Sequence, residues 1–103
     1  MGNPSKRKGA RFELEVVAKL QELGVAAIKM PLSGALENFQ GDIICPVRGS
    51  DKKLEAKRRR RAFSTLYGYL GSNYGLVIRD DQVGPLVVLR LEDFAELAKG
   101  PAQ

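Results

Sequence analysis

The sequence contains no histidine. That single absence removes Ser-His-Asp and Cys-His hydrolases, histidine-based metal centres, and nucleases that use a histidine as general base. There is one cysteine, Cys45, so no intrachain disulfide framework is available. It sits inside an apolar run and reads as a buried thiol in a reducing, cytoplasmic compartment. No apolar run approaches the roughly 18 residues that a membrane span requires. The N-terminus is basic but is not followed by an apolar core, so it does not read as a secretory signal. Internal repeats and low-complexity linkers are also missing.

What is present sets a narrower frame. A length of 103 residues allows one domain with a modest core. With 44% hydrophobic and 28% charged residues, the composition is that of a globular protein and not a disordered one. The net charge of +5 and a pI near 9.6 point to a polyanionic partner.

The stretch from Gly41 to Lys57 organises the rest. Gly41-Asp42 opens an apolar run through Val47, the polar segment Arg48–Lys53 reads as a turn, and Leu54-Glu55-Ala56-Lys57 follows. Two runs about a glycine-bearing turn predict paired strands. Side chains alternate along a strand, so Glu55 and Lys57 share a face. Antiparallel pairing would bring Asp42 to Glu55. Two neighbouring carboxylates repel each other and favour a hard cation between them. The pattern Asp, twelve residues, Glu-x-Lys is thus a candidate divalent-metal site, although an ordinary hairpin with exposed charges has the same spacing.

Upstream, residues 10–23 predict a helix that stops at Gly24. Stepping about 100° per residue from Phe12, Val16, Leu20 and Val17 fall at about 40°, 80° and 140°. Glu13 falls at about 100°, inside the apolar stripe. A carboxylate there is costly unless it is paired, for example with an arginine, or bound to metal. Residues 25–30 predict a strand ended by Pro31. The loop 31–40 then leads directly into Asp42 and could present the Ser33 hydroxyl to a phosphate.

Downstream, a helix is expected over 62–70 with Phe63, Leu66, Tyr67 and Leu70 as its core stripe. Strands are expected over 74–78 and 85–91, joined by an Asp80-Asp81 turn. A final helix over 92–99 should turn Phe94, Leu97 and Ala98 inward. The order α-β-β-β-α-β-β-α implies an α/β domain, residues 10–99, with a mixed central sheet flanked by helices. A basic flexible arm (1–9) precedes it and a short tail (100–103) follows. Two basic runs flank the proposed site: Lys6, Arg7, Lys8 and Arg11 in the arm, and Arg58, Arg59, Arg60 and Arg61 after Lys57. Either run can be a solvated face, but beside such a site both suit phosphate contacts.

These residues together carry a resemblance. Gly9-Ala-Arg-Phe-Glu13, Pro31-Leu-Ser33-Gly34, Gly41-Asp42-Ile-Ile and Leu54-Glu55-Ala-Lys57 resemble the motifs of the PD-(D/E)xK nucleases. Within that superfamily they are similar to the archaeal-type Holliday junction resolvases, a group with phage relatives. The sequence departs from the pattern at Gly41, where the motif's name puts proline, and in a shorter segment between Lys57 and the second helix. The resemblance implies a restriction-endonuclease-like fold and magnesium or manganese bound by Glu13, Asp42 and Glu55. It also implies a lysine at Lys57 that positions water or stabilises the transition state, and an assisting serine at Ser33. The expected function is a metal-dependent endonuclease that resolves four-way DNA junctions by paired nicks as a homodimer. No membrane and no small-molecule substrate is expected. The alternatives are a nuclease for other branched or duplex DNA, and a basic DNA-binding module whose carboxylates are structural.

Overall fold

The first helix, α1 (Pro4–Glu22), starts six residues before the expected Ala10. Residues 4–9 of the anticipated arm are therefore helical. Proline's fixed φ and missing N–H suit the first position of a helix, and the straight-chain Lys-Arg-Lys that follows has good helix propensity. The extension has no apolar period and so left no pattern to read. The structure, a computed structural model, describes residues 4–30 and 42–101, excepting the side chains of residues 4–9 and of Asp42. The anticipated loop 31–40, residues 1–3 of the arm and residues 102–103 of the tail lie outside the described residues.

Helix α1 ends in a Schellman cap. Gly24 takes φ 92°, the Gly24 N–H bonds the Gln21 carbonyl at 3.0 Å, and the Val25 N–H bonds the Leu20 carbonyl at 2.8 Å. Strand β1 is only Ile28–Lys29, not Val25–Met30. Before it, the Val25 N–H serves the helix cap and the Ala27 carbonyl accepts from Gln21 Nε2 at 2.9 Å. Those backbone groups are spent locally and do not extend a ladder, while Val25 and Ala27 still enter the core.

Strands β2 (Asp42–Val47) and β3 (Ser50–Glu55) form a hairpin with six aligned pairs, from Asp42↔Glu55 to Val47↔Ser50. The turn is two residues long, not the six expected. Arg48 and Gly49 take φ 51° and 83°, the pattern of a type I′ hairpin, whose twist matches that of the strands it joins. Ser50-Asp-Lys-Lys53 have weak strand propensity, but once the turn is tight they have no choice but to pair. The Arg48 N–H bonds the Ala98 carbonyl at 2.6 Å and its Nε bonds the Leu97 carbonyl at 3.2 Å. The hairpin tip is thus tied to the C-terminal carbonyls of α3 (Leu91–Lys99), where a cation is favoured.

Helix α3 packs Leu91, Phe94, Ala95 and Ala98 toward the core, an i, i+3, i+4, i+7 stripe. Leu97, expected inward, is 45% exposed because it lies off that stripe. The core joins Val17 and Leu20 of α1, Val25, Ala27, Ile43 and Cys45, with Ala95 and Ala98.

The class is α/β, as the sequence indicates, but the strands do not form one mixed sheet. Among the described residues they form two antiparallel sheets, β1-β2-β3 and the hairpin β4 (Gly75–Ile78) with β5 (Leu86–Leu89). Short connections return strands antiparallel, and a parallel pair would need β4 to come back onto β3 through α2. Helix α2 (Ser64–Leu70) packs instead with β4. It buries Leu70 alone and leaves Tyr67 76% exposed, which corrects the expectation that its aromatic stripe is core. The Arg90 guanidinium, donating to the Asn73 and Gly71 carbonyls, ties the end of β5 to the loop after α2.

Glycine is required at the hairpin tip by backbone conformation alone, since no atom lies within 4 Å of a Cβ added at Gly49. Gly49→Ala should therefore destabilise by about 1–2 kcal/mol. Gly84 has equally open surroundings and no positive φ. Gly84→Ala should be neutral or stabilising by up to about 1 kcal/mol. Denaturant midpoints of the two variants check this difference in sign.

Candidate active site

The register of the hairpin decides the geometry of the site. Asp42 is the first residue of β2, Glu55 the last of β3, and the two are direct cross-strand partners. Residues so paired have Cβ atoms about 4.5–5.5 Å apart on one face of the sheet. The side chain of Asp42 lies outside the described residues. Lys57 follows two residues after Glu55, and its Nζ lies 3.0 Å from Glu55 Oε1. Both side chains are more than half exposed, at 56% and 62%. Such a pair adds little to stability. Its consequence is positional, holding an ammonium beside a carboxylate at the open end of the hairpin.

Glu13 lies within the buried stripe of α1, as its helical angle indicated, in line with Val17 and Leu20 and 8% exposed. Its partner is a lysine and not an arginine. Lys29 reaches from β1, placing Nζ 3.4 Å from Glu13 Oε1. Lys29 is aligned with Ile43, one residue along the ladder from the Asp42↔Glu55 pair. Sequence reasoning passed over Lys29. The signal was available as the one charged residue in the apolar run Val25-Ala-Ala-Ile-Lys-Met30.

The structure brings together Glu55 with Lys57 at their side chains, Asp42 with Glu55 at the backbone, and Glu13 with Lys29. Among the described side chains no group of three or more histidine, cysteine, aspartate or glutamate residues could hold a metal. Ser33 lies outside the described residues, as does the rest of the loop that leads into Asp42. Arg11, two residues before Glu13, and Arg58, Arg59, Arg60 and Arg61, directly after Lys57, are all exposed. Lys6, Arg7 and Lys8 stand in the first turns of α1, their side chains outside the described residues. Cys45 is fully buried. Burial pushes its thiol pKa up, which makes it a packing residue with no nucleophilic part.

The donor chemistry of the hairpin end fits a hard divalent cation. Asp42 and Glu55, both acidic residues, are aligned across the ladder at its open end. Magnesium is commonly held by one or two carboxylates, with water and substrate phosphate completing its octahedron.

Comparison with known proteins agrees with the motif pattern. A family model described as archaeal Holliday junction resolvase matches residues 4–68, well over half of the chain. The match spans α1, the β1-β2-β3 sheet, the arginine run and the start of α2. Neither the curated proteins nor the solved structures yielded a significant match.

The unequal burial of the Glu13–Lys29 pair predicts unequal effects of breaking it. The Lys29 side chain is 37% exposed and can be rehydrated, whereas that of Glu13 is 10% exposed. Glu13→Gln should change stability by about 1 kcal/mol or less. Lys29→Met leaves a buried carboxylate without its counter-charge and should cost about 3 kcal/mol. Thermal or denaturant unfolding of both variants measures the difference, and equal losses would contradict it.

Proposed function

The chain belongs to the archaeal Holliday junction resolvase family, nucleases that act on branched DNA, and on that premise we propose that it cuts four-way junctions by paired, divalent-metal-dependent phosphodiester nicks. The observation that carries this reading is the cross-strand alignment of Asp42 with Glu55, with the Lys57 ammonium 3.0 Å from Glu55. Asp42 and Glu55 would hold magnesium or manganese, and Glu13 would orient the attacking water. When bound, such an ion would supply Lewis-acid chemistry, acidifying water and offsetting charge on the phosphoryl oxygens.

The chain's own groups supply the rest. Lys57 donates hydrogen bonds to the scissile phosphate, where charge builds in the transition state. Glu13, accepting a hydrogen bond from the attacking water, sets its direction. Ser33, in the loop preceding Asp42, assists at the phosphate. The exposed run Arg58 to Arg61, with Lys6, Arg7, Lys8 and Arg11, grips flanking phosphates and not base edges, which suits recognition of a branch by shape.

Resolution needs two opposed nicks, and each chain provides one set of Glu13, Asp42, Glu55 and Lys57. A homodimer whose two-fold axis matches that of the junction meets this need. The apolar surface of α2 and the β4–β5 hairpin supports it. Val77 and Val87, cross-strand partners, are 72% and 62% exposed, and Leu86 and Tyr67 are exposed as well. Helix α3, by contrast, covers the protomer's own core. The interface is therefore assigned to α2 with β4–β5.

Two experiments test this. Asp42→Asn and Glu55→Gln should each lower nicking by at least about a hundredfold while junction binding in metal-free buffer persists. The assay competes four-way, flap and linear DNA with and without magnesium. Wild-type cutting by either variant at equal metal defeats the site assignment, and preference for flap or linear DNA redirects the substrate. For assembly, sedimentation at micromolar concentration should give the mass of two chains for the wild type and of one for Val77→Asp with Val87→Lys. A wild-type monomer, free and on DNA, that still makes paired nicks would contradict the dimer.

A further inference from the structure

Strand β1 runs against its own hydrophobic pattern. Ile28 is 51% exposed, while Lys29 is directed to the helix side and meets Glu13. A slip of one residue would reverse this, burying the isoleucine and freeing the lysine. The observed register, Ile28↔Ile44 and Lys29↔Ile43, holds the less apolar choice inward. What that register provides is the 3.4 Å ion pair between Lys29 Nζ and Glu13 Oε1, one residue along the ladder from Asp42 and Glu55.

We infer that Lys29 is a positioning residue of the catalytic centre: its ammonium stands where a second cation would otherwise stand on Glu13, so that the site takes one divalent ion per chain and not two. This rests on the reading of Asp42 and Glu55 as that ion's ligands. A carboxylate 8% exposed needs a counter-charge at all times, before metal and substrate arrive as well as after. Lys29 supplies it from within the chain. A second divalent ion on Glu13 would have to sit within a few ångströms of this ammonium, and like charges at that distance in a poorly solvated site repel strongly. Lys29 is 37% exposed at its side chain, open enough to keep its remaining donors toward water or phosphate while one is directed at Glu13. Arginine would keep the charge at this point, whereas methionine keeps the length and loses it.

The test counts manganese bound per chain by electron paramagnetic resonance and measures junction cutting alongside. Wild type should hold one Mn2+ per chain. Lys29→Arg should also hold one and cut at nearly the wild-type rate. Lys29→Met should hold two, the second on the now unpaired Glu13, and should cut about tenfold more slowly at the Mn2+ level that saturates wild type. The combination Glu13→Gln with Lys29→Met carries no buried charge to destabilise the fold and should return to one. Two ions on wild type, or one ion and wild-type cutting with Lys29→Met, would overturn the inference while leaving the ligand assignment standing. An Asp42→Asn, Glu55→Gln double variant that still holds its Mn2+ would overturn that assignment and, with it, the role given to Lys29.

Discussion

The tight turn at Arg48-Gly49 is the constraint on which the rest of the structure depends. Two consecutive residues in the left-handed region set the register of β2 against β3, and side chains alternate with a period of two. A turn one residue longer would shift Asp42 away from Glu55 and rotate Ile43 and Cys45 out of the core. Arg48, which has a Cβ and would not choose this backbone unaided, is held by two hydrogen bonds to the end of α3. The same contact anchors α3 over Ile43 and Cys45, so one corner of the molecule controls both the packing of the core and the pairing of Asp42 with Glu55 at the far end of the hairpin.

Charge is distributed in two distinct ways about that alignment. Glu55 and Lys57 are well exposed, and their pairing is a matter of placement, cheap to break and to rearrange around a phosphate. Glu13 and Lys29 are unequally buried, and their pairing is a condition for the helix to keep a carboxylate in its apolar stripe at all. The strand that carries Lys29 leaves an isoleucine in water to satisfy it. Sites that break the rules of hydrophobic patterning are where function is expected, because stability alone would have placed these two residues the other way round.

The C-terminal half shows the complementary case, apolar surface without a cover. Helix α2 and the β4–β5 hairpin pack on each other and are joined through Arg90 to the loop after α2. Gly75 permits Leu89 to lie across its strand, since a Cβ there would come within 2.9 Å of the leucine. Yet Tyr67, Val77, Leu86 and Val87 remain outside any core of this chain. Exposed apolar surface of that extent is a liability in isolation and fits a partner surface, which is why the proposed dimer is placed there.

Much of this was determined by the sequence alone. Glu13 is placed in the apolar face of α1 by the 3.6-residue period, and two runs about a glycine-bearing turn dictate an antiparallel hairpin that carries Asp42 on one strand and Glu55 on the other. The four motifs pointed to the resolvase family that the later comparison identified. These features are local or nearly so, and the local pattern is sufficient to dictate them. Three others were decided only by tertiary structure. Helix α1 reaches back to Pro4 through residues with no apolar period. Ser50 to Lys53 are strand in spite of their composition, because the turn before them is short. The identity of Glu13's partner, Lys29, depends on which face β1 turns to the helix, and that is set by pairing with β2, across a gap in the chain that no periodicity spans. The separation of the described strands into two antiparallel sheets has the same origin: each strand's composition suits either arrangement, and only the packing of α2 onto β4 selects between them.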